Sequence, residues 1–277
     1  MTSPILVTGG TGTLGRLVVR RLRDAGCDVR VLSRRSHKSG DGIEFMTGDL
    51  ATGEGVEAAV DGIETIVHLA GSAKGDEDKA RNLVQAASRA AAPHLVYISV
   101  VGAERIPVVS GVDRAMFGYF ASKRAAEKVI EDSGLPWTTL RATQFHDLML
   151  MVAQALAKLP VVPVPAGFRV QPVDADEVAA RLVELTLGEP AGLVPDMGGP
   201  RVYGAADLFR GYLLASKRRR RPIVPLWLPG KAARAFRDGA NLAPEQAVGH
   251  RTWEEVLAER LSQRRSAARV GKFPASV

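Results

Sequence analysis

A glycine-rich turn close to the N-terminus constrains the fold of this chain more than any other feature of the sequence. The apolar run Ile5–Thr8 leads directly into glycines at positions 9, 12 and 15, and an amphipathic segment follows them. Glycine is needed where a backbone turns tightly, where it approaches a pyrophosphate and where a helix packs closely on a strand. The N-terminus of such a helix offers unpaired N–H groups to an anion. The sequence therefore predicts a strand, a phosphate-binding turn and a helix, against the alternative of a glycine-rich turn that holds no ligand.

Short apolar runs alternate with longer amphipathic segments over the first 140 residues. The apolar runs, which predict strands, are 5–8, 29–33, 43–46, 66–70, 94–99 and 137–141. The amphipathic segments, which predict helices, are 14–25, 55–60, 77–91 and 114–133. Strands that alternate with helices form a parallel sheet with helices on both faces. We therefore predict the α/β class, with a doubly wound Rossmann-type parallel sheet and a small C-terminal α/β lobe.

The pattern changes after residue 142. The predicted elements there are a helix over 145–158, a proline-rich stretch over 159–173, a helix that ends near 187, a short strand over 193–197 and a helix over 205–216. Asp174 and Glu177 have the spacing of a capping box at the start of the second of these helices.

This half of the chain is too interrupted to build a large core of its own. We therefore predict a dinucleotide-binding Rossmann domain over 1–142 and a small lobe over 143–277 that contacts a substrate or partner. The lobe is expected to be interleaved with the sheet edge, and a polar tail is expected from about residue 265.

The composition excludes several classes of protein. Apolar residues make up 46% of the 277 residues and charged residues 24%, as in soluble globular proteins and unlike disordered or collagen-like chains. Cys27 is the one cysteine, so no internal disulfide can form. The apolar stretch 148–165 is interrupted by polar, charged and proline residues, and the N-terminus lacks a signal-peptide pattern. We expect a cytoplasmic protein without a membrane segment, and no metal, since no compact metal-ligand motif is present.

The net charge of +7 is concentrated near the C-terminus. Residues 217–277 carry 14 Lys or Arg and 5 Asp or Glu, so the first 216 residues are net acidic. The basic run 217–221 follows a predicted helix, and cations near a helix C-terminus are favourable. A solvated helix end explains the run; an acidic partner, a membrane surface or a nucleic acid is the alternative. Because no aromatic residues interleave the run, we expect no nucleic-acid partner.

Further segments have the spacing of a known family. Read with Thr8, the turn is T-G-x-x-G-x-x-G; the other segments are Gly48-Asp-Leu50, Val67-His-Leu-Ala-Gly71 and Asn82 within NLVQAA. Over about residues 4–190 the chain resembles the short-chain dehydrogenase/reductase superfamily, in its extended and NmrA-like branches. The resemblance implies that Asp49 contacts an adenine and that the backbone of residues 69–71 lines the cofactor.

The end of the second predicted strand chooses between NAD and NADP. An acidic residue there would bind a ribose 2′-OH and favour NAD, but this chain has Ser33 followed by Arg34. A guanidinium forms forked, charge-assisted hydrogen bonds with phosphate, and a hydroxyl can add one more. We therefore predict NADP(H), against the alternative that Arg34 is a solvated loop cation. The predicted cofactor-binding residues are Thr8, Gly9, Gly10, Thr11, Gly12, Thr13, Leu14, Gly15, Ser33, Arg34, Gly48, Asp49, Leu50, Leu69, Ala70, Gly71 and Lys123.

Tyr119 and Lys123 are four residues apart on one predicted helix and match the YxxxK pair of the superfamily. A phenol with a pKa near 10 is a poor acid or base at neutral pH, and a cation within about 4–6 Å lowers that pKa. Tyr119 would donate a proton to a carbonyl as hydride arrives, or remove one in the reverse direction. The resemblance implies that Lys123 also holds the nicotinamide ribose and that Ser99 polarises the substrate oxygen. The alternative is a packed tyrosine and a snorkelling lysine on an amphipathic helix.

The chain departs from the family pattern on the substrate side. Asp76 stands where many superfamily members have an asparagine, and Arg141 begins R-A-T instead of the usual R-P. Gln144, Phe145 and His146 follow the sixth predicted strand and are predicted to line the substrate pocket, with helix capping as the alternative for His146.

Together these features predict an NADPH-dependent oxidoreductase of the atypical short-chain dehydrogenase/reductase type, which transfers hydride to a carbonyl or quinone-like small molecule. The alternative is a non-catalytic NADP(H)-binding regulator or redox sensor of the NmrA-like type, a class that often lacks YxxxK. A third option, an epimerase or dehydratase with tightly held NAD, is disfavoured by Arg34 and by the short lobe. The lobe residues do not identify the substrate, and a homodimer is one option for the assembly.

Overall fold

The computed structural model describes residues 3–72, 74–217 and 221–270, with side chains up to residue 263. Its strands are β1 (Ile5–Thr8), β2 (Val29–Ser33), β3 (Ile43–Thr47), β4 (Thr65–His68), β5 (His94–Val100), β6 (Trp137–Ala142), β7 (Val162–Pro165), β8 (Arg169–Val170), β9 (Gly192–Leu193), β10 (Tyr203–Gly204) and β11 (Ile223–Leu226). Its helices are α1 (Thr13–Asp24), α2 (Val56–Val60), α3 (Asp76–Arg89), α4 (Gly111–Glu131), α5 (His146–Leu156), α6 (Ala175–Leu187), α7 (Ala205–Ala215), α8 (Lys231–Arg237) and α9 (Trp253–Val270). In the described part of the chain, none of these helices combines the length and apolar character that crossing a membrane requires.

Seven parallel strands of the described chain form the central sheet, in the order β3-β2-β1-β4-β5-β6-β9. The order reverses at β1, where Thr8 is in register with Leu32 on one side and with His68 on the other. Ligands of such sheets bind at the carboxyl ends of the strands, beside the reversal. The predicted doubly wound Rossmann-type sheet is confirmed, and its crevice lies next to the glycine turn.

Helices cover both faces of this sheet. On one face α1 and α6 pack over Val7 and Val67, and on the other α2, α3 and α4 pack over Leu6 and Ile66. Because side chains alternate between faces along a strand, consecutive residues of β1 and β4 are buried on opposite sides of the sheet. This burial on both faces explains why these strands have continuous apolar sequences.

Elements from beyond residue 142 complete the sheet and also build a second core. α6 packs on α1, and β9 pairs with β6. α5, α7, α8 and α9 enclose a separate apolar cluster that includes Phe236 and Trp253. Phe117 and Phe120 of α4 reach into this cluster, so α4 contributes to both cores. The division of the chain at residue 142 stays a prediction.

The start of α6 differs in detail from the predicted capping box. Asp174 caps the helix, because its side chain accepts a hydrogen bond from the Asp176 N–H at 2.8 Å. Glu177 does not return a hydrogen bond to this cap, since its carboxylate accepts one from the His250 N–H at 3.0 Å. Glu177 therefore ties the C-terminal segment to α6.

The proline-rich stretch, the short strand and the tail also differ from their predicted forms. β7 and β8 lie within the proline-rich stretch, and β7 pairs in parallel with β11 in a two-stranded ribbon, whose edges tolerate proline. The strand predicted over 193–197 is limited to β9 and a single bridge from Met197 to Ala142. The tail predicted from about residue 265 is helical to Val270. Residues 218–220 of the basic run lie outside the described residues, so the interpretation of that run stays a prediction.

Candidate functional site

The glycine turn joins β1 to α1 and leaves no room for side chains. Gly9 has a φ of +71°, in the left-handed region that favours glycine. A Cβ on Gly9 would lie 2.7 Å from the Ala70 nitrogen, and one on Gly15 would lie 2.1 Å from the Gly9 carbonyl oxygen. A Cβ on Gly10 would lie 2.8 Å from a methyl carbon of Val31. These glycines therefore allow the close packing of turn, strand and helix that a dinucleotide-binding turn needs.

The start of α1 has the chemistry of an anion site. Gly12 is the N-cap and supplies no side-chain hydrogen bond, and the first turn of the helix carries no acidic residue. Thr11, Gly12 and Thr13 are exposed, whereas Leu14 is buried. The first N–H groups of a helix have no partners within it and carry partial positive charge. The turn therefore fits the pyrophosphate of a dinucleotide.

The loop after β2 presents a cation at the same edge. Ser33 Oγ accepts a hydrogen bond from the Arg35 N–H at 3.2 Å. The Arg34 side chain is exposed, and it forms no ion pair with any other residue that the structure describes. A guanidinium without a protein partner is compatible with the predicted contact to a 2′-phosphate.

The loop after β3 is held by its own hydrogen bonds. Asp49 Oδ1 accepts one from the Ala51 N–H at 2.9 Å, and Asn82 of α3 donates one to the Leu50 carbonyl at 2.8 Å. A Cβ on Gly48 would lie 2.6 Å from the Glu54 carbonyl oxygen. The loop is therefore shaped before any ligand binds, and its cofactor contacts stay predictions.

Thr8 is buried at the end of β1 and contacts protein groups. Its Oγ1 lies 2.7 Å from His68 Nδ1 and accepts a hydrogen bond from the Ala70 N–H at 3.4 Å. Burial, and then the charge of Lys123, lower the pKa of His68 to about 3, so its ring is neutral at physiological pH. Thr8 therefore supports the segment that leads to Gly71, which is exposed at the crevice.

Lys123 is buried where α4 meets the sheet. Its Nζ donates hydrogen bonds to the Tyr97 hydroxyl at 3.3 Å and to the Ile98 carbonyl at 3.2 Å, and it lies 3.4 Å from Asp76 Oδ2. Tyr119, one turn earlier on α4, is 40% exposed, and its ring centroid is 5.9 Å from Nζ. The structure thus brings the predicted Tyr–Lys pair together, with the lysine in the interior and the tyrosine at the surface.

The electrostatics of the pair differ from the prediction. Burial of the phenol, and then the Asp76 carboxylate, raise the pKa of Tyr119 to about 12, although 40% of the residue is exposed. Burial also lowers the pKa of Lys123, and Asp76 opposes that effect. The pKa of Tyr119 is therefore raised on balance, whereas the prediction has it lowered by Lys123.

Asp76 is the residue of this site that the sequence interpretation misses. In the sequence it is only a departure from the family pattern, whereas in the structure its side chain is fully buried next to Lys123. Its Oδ1 accepts a hydrogen bond from the Ser72 N–H at 2.8 Å and lies 3.2 Å from Lys79 Nζ. The sequence does show a carboxylate at the start of a predicted helix with a lysine three residues later. The contact between that carboxylate and Lys123 of α4 forms only in the folded protein.

Ser99 lies near the end of β5 and forms no hydrogen bond with Tyr119, Lys123 or Asp76 in the described part of the chain. Its hydroxyl is buried, has no hydrogen-bond partner of normal geometry in the described chain and helps to lower the pKa of the nearby Glu127 carboxyl. Glu127 forms a bidentate ion pair with Arg141, with two N···O distances of 2.8 Å. No hydrogen bond joins Ser99 to Tyr119 within the described residues, so the contact of Ser99 with a substrate oxygen stays a prediction.

The segment after β6 packs against the C-terminal part of the chain. Gln144 and Phe145 are half-buried. His146 is 1% exposed, its Nε2 lies 3.0 Å from the Arg251 carbonyl oxygen, and its ring stacks on Trp253. Burial lowers the pKa of His146. His146 therefore packs at the start of α5, and its predicted contact with the substrate pocket stays a prediction.

Known proteins that are similar to this chain bind NAD(P)H or are named as reductases or assembly factors. The sequence model of a family described as NAD(P)H-binding matches residues 9–185. The curated (4-alkanoyl-5-oxo-2,5-dihydrofuran-3-yl)methyl phosphate reductase of Streptomyces griseus is 31% identical over 188 residues, which cover 66% of this chain and 63% of the reductase. The chain thus spans less than two thirds of the length of that relative. The photosystem II assembly factor Ycf39 of Cyanophora paradoxa is 26% identical over 274 residues, which cover 92% of this chain and 81% of that protein.

A solved structure has the same fold. The NADPH-dependent quinone oxidoreductase of Escherichia coli, complexed with NADPH, superposes with a TM-score of 0.76 at 20% identity, over 94% of this chain and 99% of that chain. The family match spans the glycine turn, both residues of the Tyr–Lys pair and most of α6. With the order of the sheet and the packing of the turn, it shows that the chain belongs to the NAD(P)H-binding family of Rossmann-type proteins, which confirms the resemblance found in its sequence.

Proposed function

We propose that the chain is an NADPH-dependent oxidoreductase of the atypical short-chain dehydrogenase/reductase type, which transfers hydride to a carbonyl or quinone-like small molecule. The observation that carries the proposal is the placement of the Tyr–Lys pair. Lys123 is buried beside Gly71 at the predicted cofactor edge, and Tyr119 is 40% exposed one helical turn away. The Streptomyces relative is named for a reductase activity, which supports the same reaction class.

The roles of the two side chains follow from the reaction. NADPH, when bound, supplies the hydride that adds to the carbonyl carbon. As the C=O π bond breaks towards oxygen, Tyr119 gives its phenolic proton to that oxygen. A raised pKa keeps the phenol protonated at neutral pH, which is the form that reduction requires. The buried ammonium of Lys123 stabilises the phenolate that remains.

The surface of α4 next to Tyr119 favours an apolar substrate. Val112, Met116 and Tyr119 have the spacing of one helix face and are 53%, 45% and 40% exposed. Ligand pockets are lined mainly by apolar side chains with few polar groups, and covering such side chains favours binding. We therefore place this face of α4 at one wall of the substrate crevice, and the lobe 143–277, through Gln144 and Phe145, at the other.

A screen of carbonyl compounds and quinones, followed through the loss of NADPH absorbance, tests the proposal. We expect turnover with at least one apolar ketone, aldehyde or quinone. Binding of NADPH without its oxidation by any compound of a broad panel would contradict the proposal and favour the second candidate function.

The second candidate is a non-catalytic NADP(H)-binding regulator or redox sensor. The observation that favours it is the similarity, over 92% of the chain, to a protein named as a photosystem II assembly factor. The Tyr119 phenol distinguishes the oxidoreductase from the regulator, because a regulator transfers no proton and does not need the hydroxyl. Both candidates share the predicted cytoplasmic location and the expected lack of a nucleic-acid partner.

Arg34 is predicted to set the preference for NADPH over NADH. We expect the unmodified protein to bind NADPH at least about tenfold more tightly, which corresponds to about 1.4 kcal/mol. Arg34→Ala should remove most of this preference, because the exposed Arg34 guanidinium is the group that we predict to contact the 2′-phosphate of NADPH. Calorimetric titration with both cofactors measures the effect. Arg35→Ala, an exposed neighbour, is the control and should keep the preference; equal affinities in the unmodified protein would show that the NADP assignment is wrong.

A further inference from the structure

Asp76 is a buried charge that the proposed reaction does not use. It is the first residue of α3 and is fully buried. Its Oδ1 accepts a hydrogen bond from the Ser72 N–H and contacts Lys79 Nζ. Its Oδ2 has no hydrogen-bond partner in the described part of the chain and faces Lys123 Nζ at 3.4 Å. A carboxylate is costly to bury without a cation, so the buried position of Asp76 depends on the nearby ammonium groups of Lys79 and Lys123.

The contact between Asp76 and Lys123 lies against the predicted cofactor edge. A Cβ on Gly71 would lie 3.0 Å from Lys123 Nζ and 3.2 Å from Asp76 Oδ2, so the backbone of the crevice closes over the pair. The Asp76 N–H also donates a hydrogen bond to Ser122 Oγ at 3.2 Å, which joins the start of α3 to the residue before Lys123. The carboxylate contact and this hydrogen bond therefore join α3 to α4 beside Gly71.

We propose that Asp76 is a positioning residue, which keeps the Lys123 ammonium charged and directed at the cofactor edge, while the Ser72 N–H holds the carboxylate in place. The inference rests on one part of the proposed function, which is the contact of Lys123 with the bound cofactor. Asparagine at this position would keep the shape of the side chain but would remove the charge that faces the ammonium.

The surroundings of Lys123 leave Asp76 as its main anionic partner. The titratable and charged groups that face it are Asp76 and Lys79 of α3, His68 of β4, Tyr97 of β5, and Tyr119 and Glu127 of α4. His68 is neutral, and Glu127 is occupied by Arg141. Burial lowers the pKa of Lys123 and Asp76 is the largest opposing influence, so loss of the carboxylate must lower that pKa further.

Titration of NADPH binding against pH, by calorimetry from neutral to alkaline conditions, tests the proposal with Asp76→Asn. We expect the loss of NADPH affinity at alkaline pH to move to lower pH by about one unit, because an uncharged Lys123 binds the cofactor less well. Asp78→Asn is the matched control, since Asp78 is an exposed residue in the same helical turn that pairs with Arg81 at 2.9 Å. It should leave the profile unchanged.

A purely structural role of Asp76 would give a different result. Asp76→Asn would then weaken NADPH binding by the same factor at every pH, and this outcome would overturn the proposal, as would an unchanged profile. Lys79→Met gives a second test of opposite sign. The Ser72 N–H still holds the Asp76 carboxylate, and removal of a neighbouring cation should move the alkaline loss of NADPH affinity to higher pH. It also serves if Asp76→Asn does not fold.

The binding experiment separates this inference from the proposed reaction. It needs no substrate, so a protein that binds NADPH but reduces no compound would lose the proposed activity and keep the role of Asp76. A native protein that binds NADPH at no pH would refute both.

Discussion

Replacement of Glu127 by alanine is expected to lower the free energy of unfolding by about 3–5 kcal/mol, the usual result of breaking a buried ion pair. Glu127 of α4 is fully buried, and Arg141 of β6 is 3% exposed. Without Glu127, the guanidinium keeps Glu104 as a partner, but the Glu104 side chain is 43% exposed and screened by water. A largely unpaired charge would therefore remain inside the protein.

Urea denaturation measures this loss, and Glu131→Ala on the next turn of α4 is the matched control. Glu131 pairs with Arg124 at 2.9 Å, with both side chains partly exposed. Pairs near the surface contribute about 0.2–1 kcal/mol, so the control should cost far less. Equal losses in the two variants would show that the Glu127–Arg141 pair does not stabilise the fold in the way described.

A double variant separates the charge from the packing. Glu127→Met combined with Arg141→Met leaves no unpaired charge, so we expect it to be more stable than Glu127→Ala alone. Burial acts to raise the pKa of Glu127, but the combined effect of Arg141, Ser99 and Arg124 outweighs burial and the pKa is lowered. The contribution of Glu127 is therefore fully present above the ordinary carboxyl pKa and is lost as the pH falls through the lowered value.

Local signals account for the parts of the fold that the sequence predicts. The predictions of the glycine turn and of the first six strands are correct because tight turns and apolar strands are visible in consecutive residues of the sequence. The start of α4 is misplaced by three residues for a local reason that the sequence does contain. Ser110 Oγ accepts a hydrogen bond from the Asp113 N–H at 3.0 Å, and Asp113 accepts one from the Ser110 N–H at 3.1 Å. This S-x-x-D capping box starts the helix at Gly111.

Contacts between distant parts of the chain could not be predicted in this way. The YxxxK spacing predicts that Tyr119 and Lys123 share a helix face, but nothing in the sequence joins Asp76 to Lys123. The same is true of His146, which the sequence places at a strand end and the fold buries against Trp253. Whether a charged or aromatic side chain is solvated, paired or packed depends on elements that meet only in the folded state. The sequence therefore predicts the parts of the candidate site that lie within one helix or turn. It misses the contacts that form between two elements.

Tyr119→Phe is expected to slow hydride transfer by about 10²–10⁴-fold, the usual contribution of a positioned acid, with little change in NADPH affinity. The substitution keeps the ring, whose centroid lies 5.8 Å from that of Phe120, and removes only the hydroxyl. Single-turnover measurements with a substrate from the screen give the rate of the chemical step. Tyr203→Phe is the control, because the Tyr203 hydroxyl donates to Glu254 in the C-terminal lobe at 2.8 Å and has no place in the proposed chemistry.

Two further variants give the pattern that only the proposed mechanism produces. Lys123→Ala should reduce both the rate and the NADPH affinity, since the ammonium serves the phenol and the cofactor. Ser99→Ala should have a milder effect, because the Ser99 hydroxyl is buried beside Glu127 and would contribute one hydrogen bond at most. If Tyr119→Phe transfers hydride as fast as the unmodified protein, another group supplies the proton. Tyr119 and Lys123 would then be parts of a packed, charge-paired helix face, and the regulator function would be the better explanation of the fold.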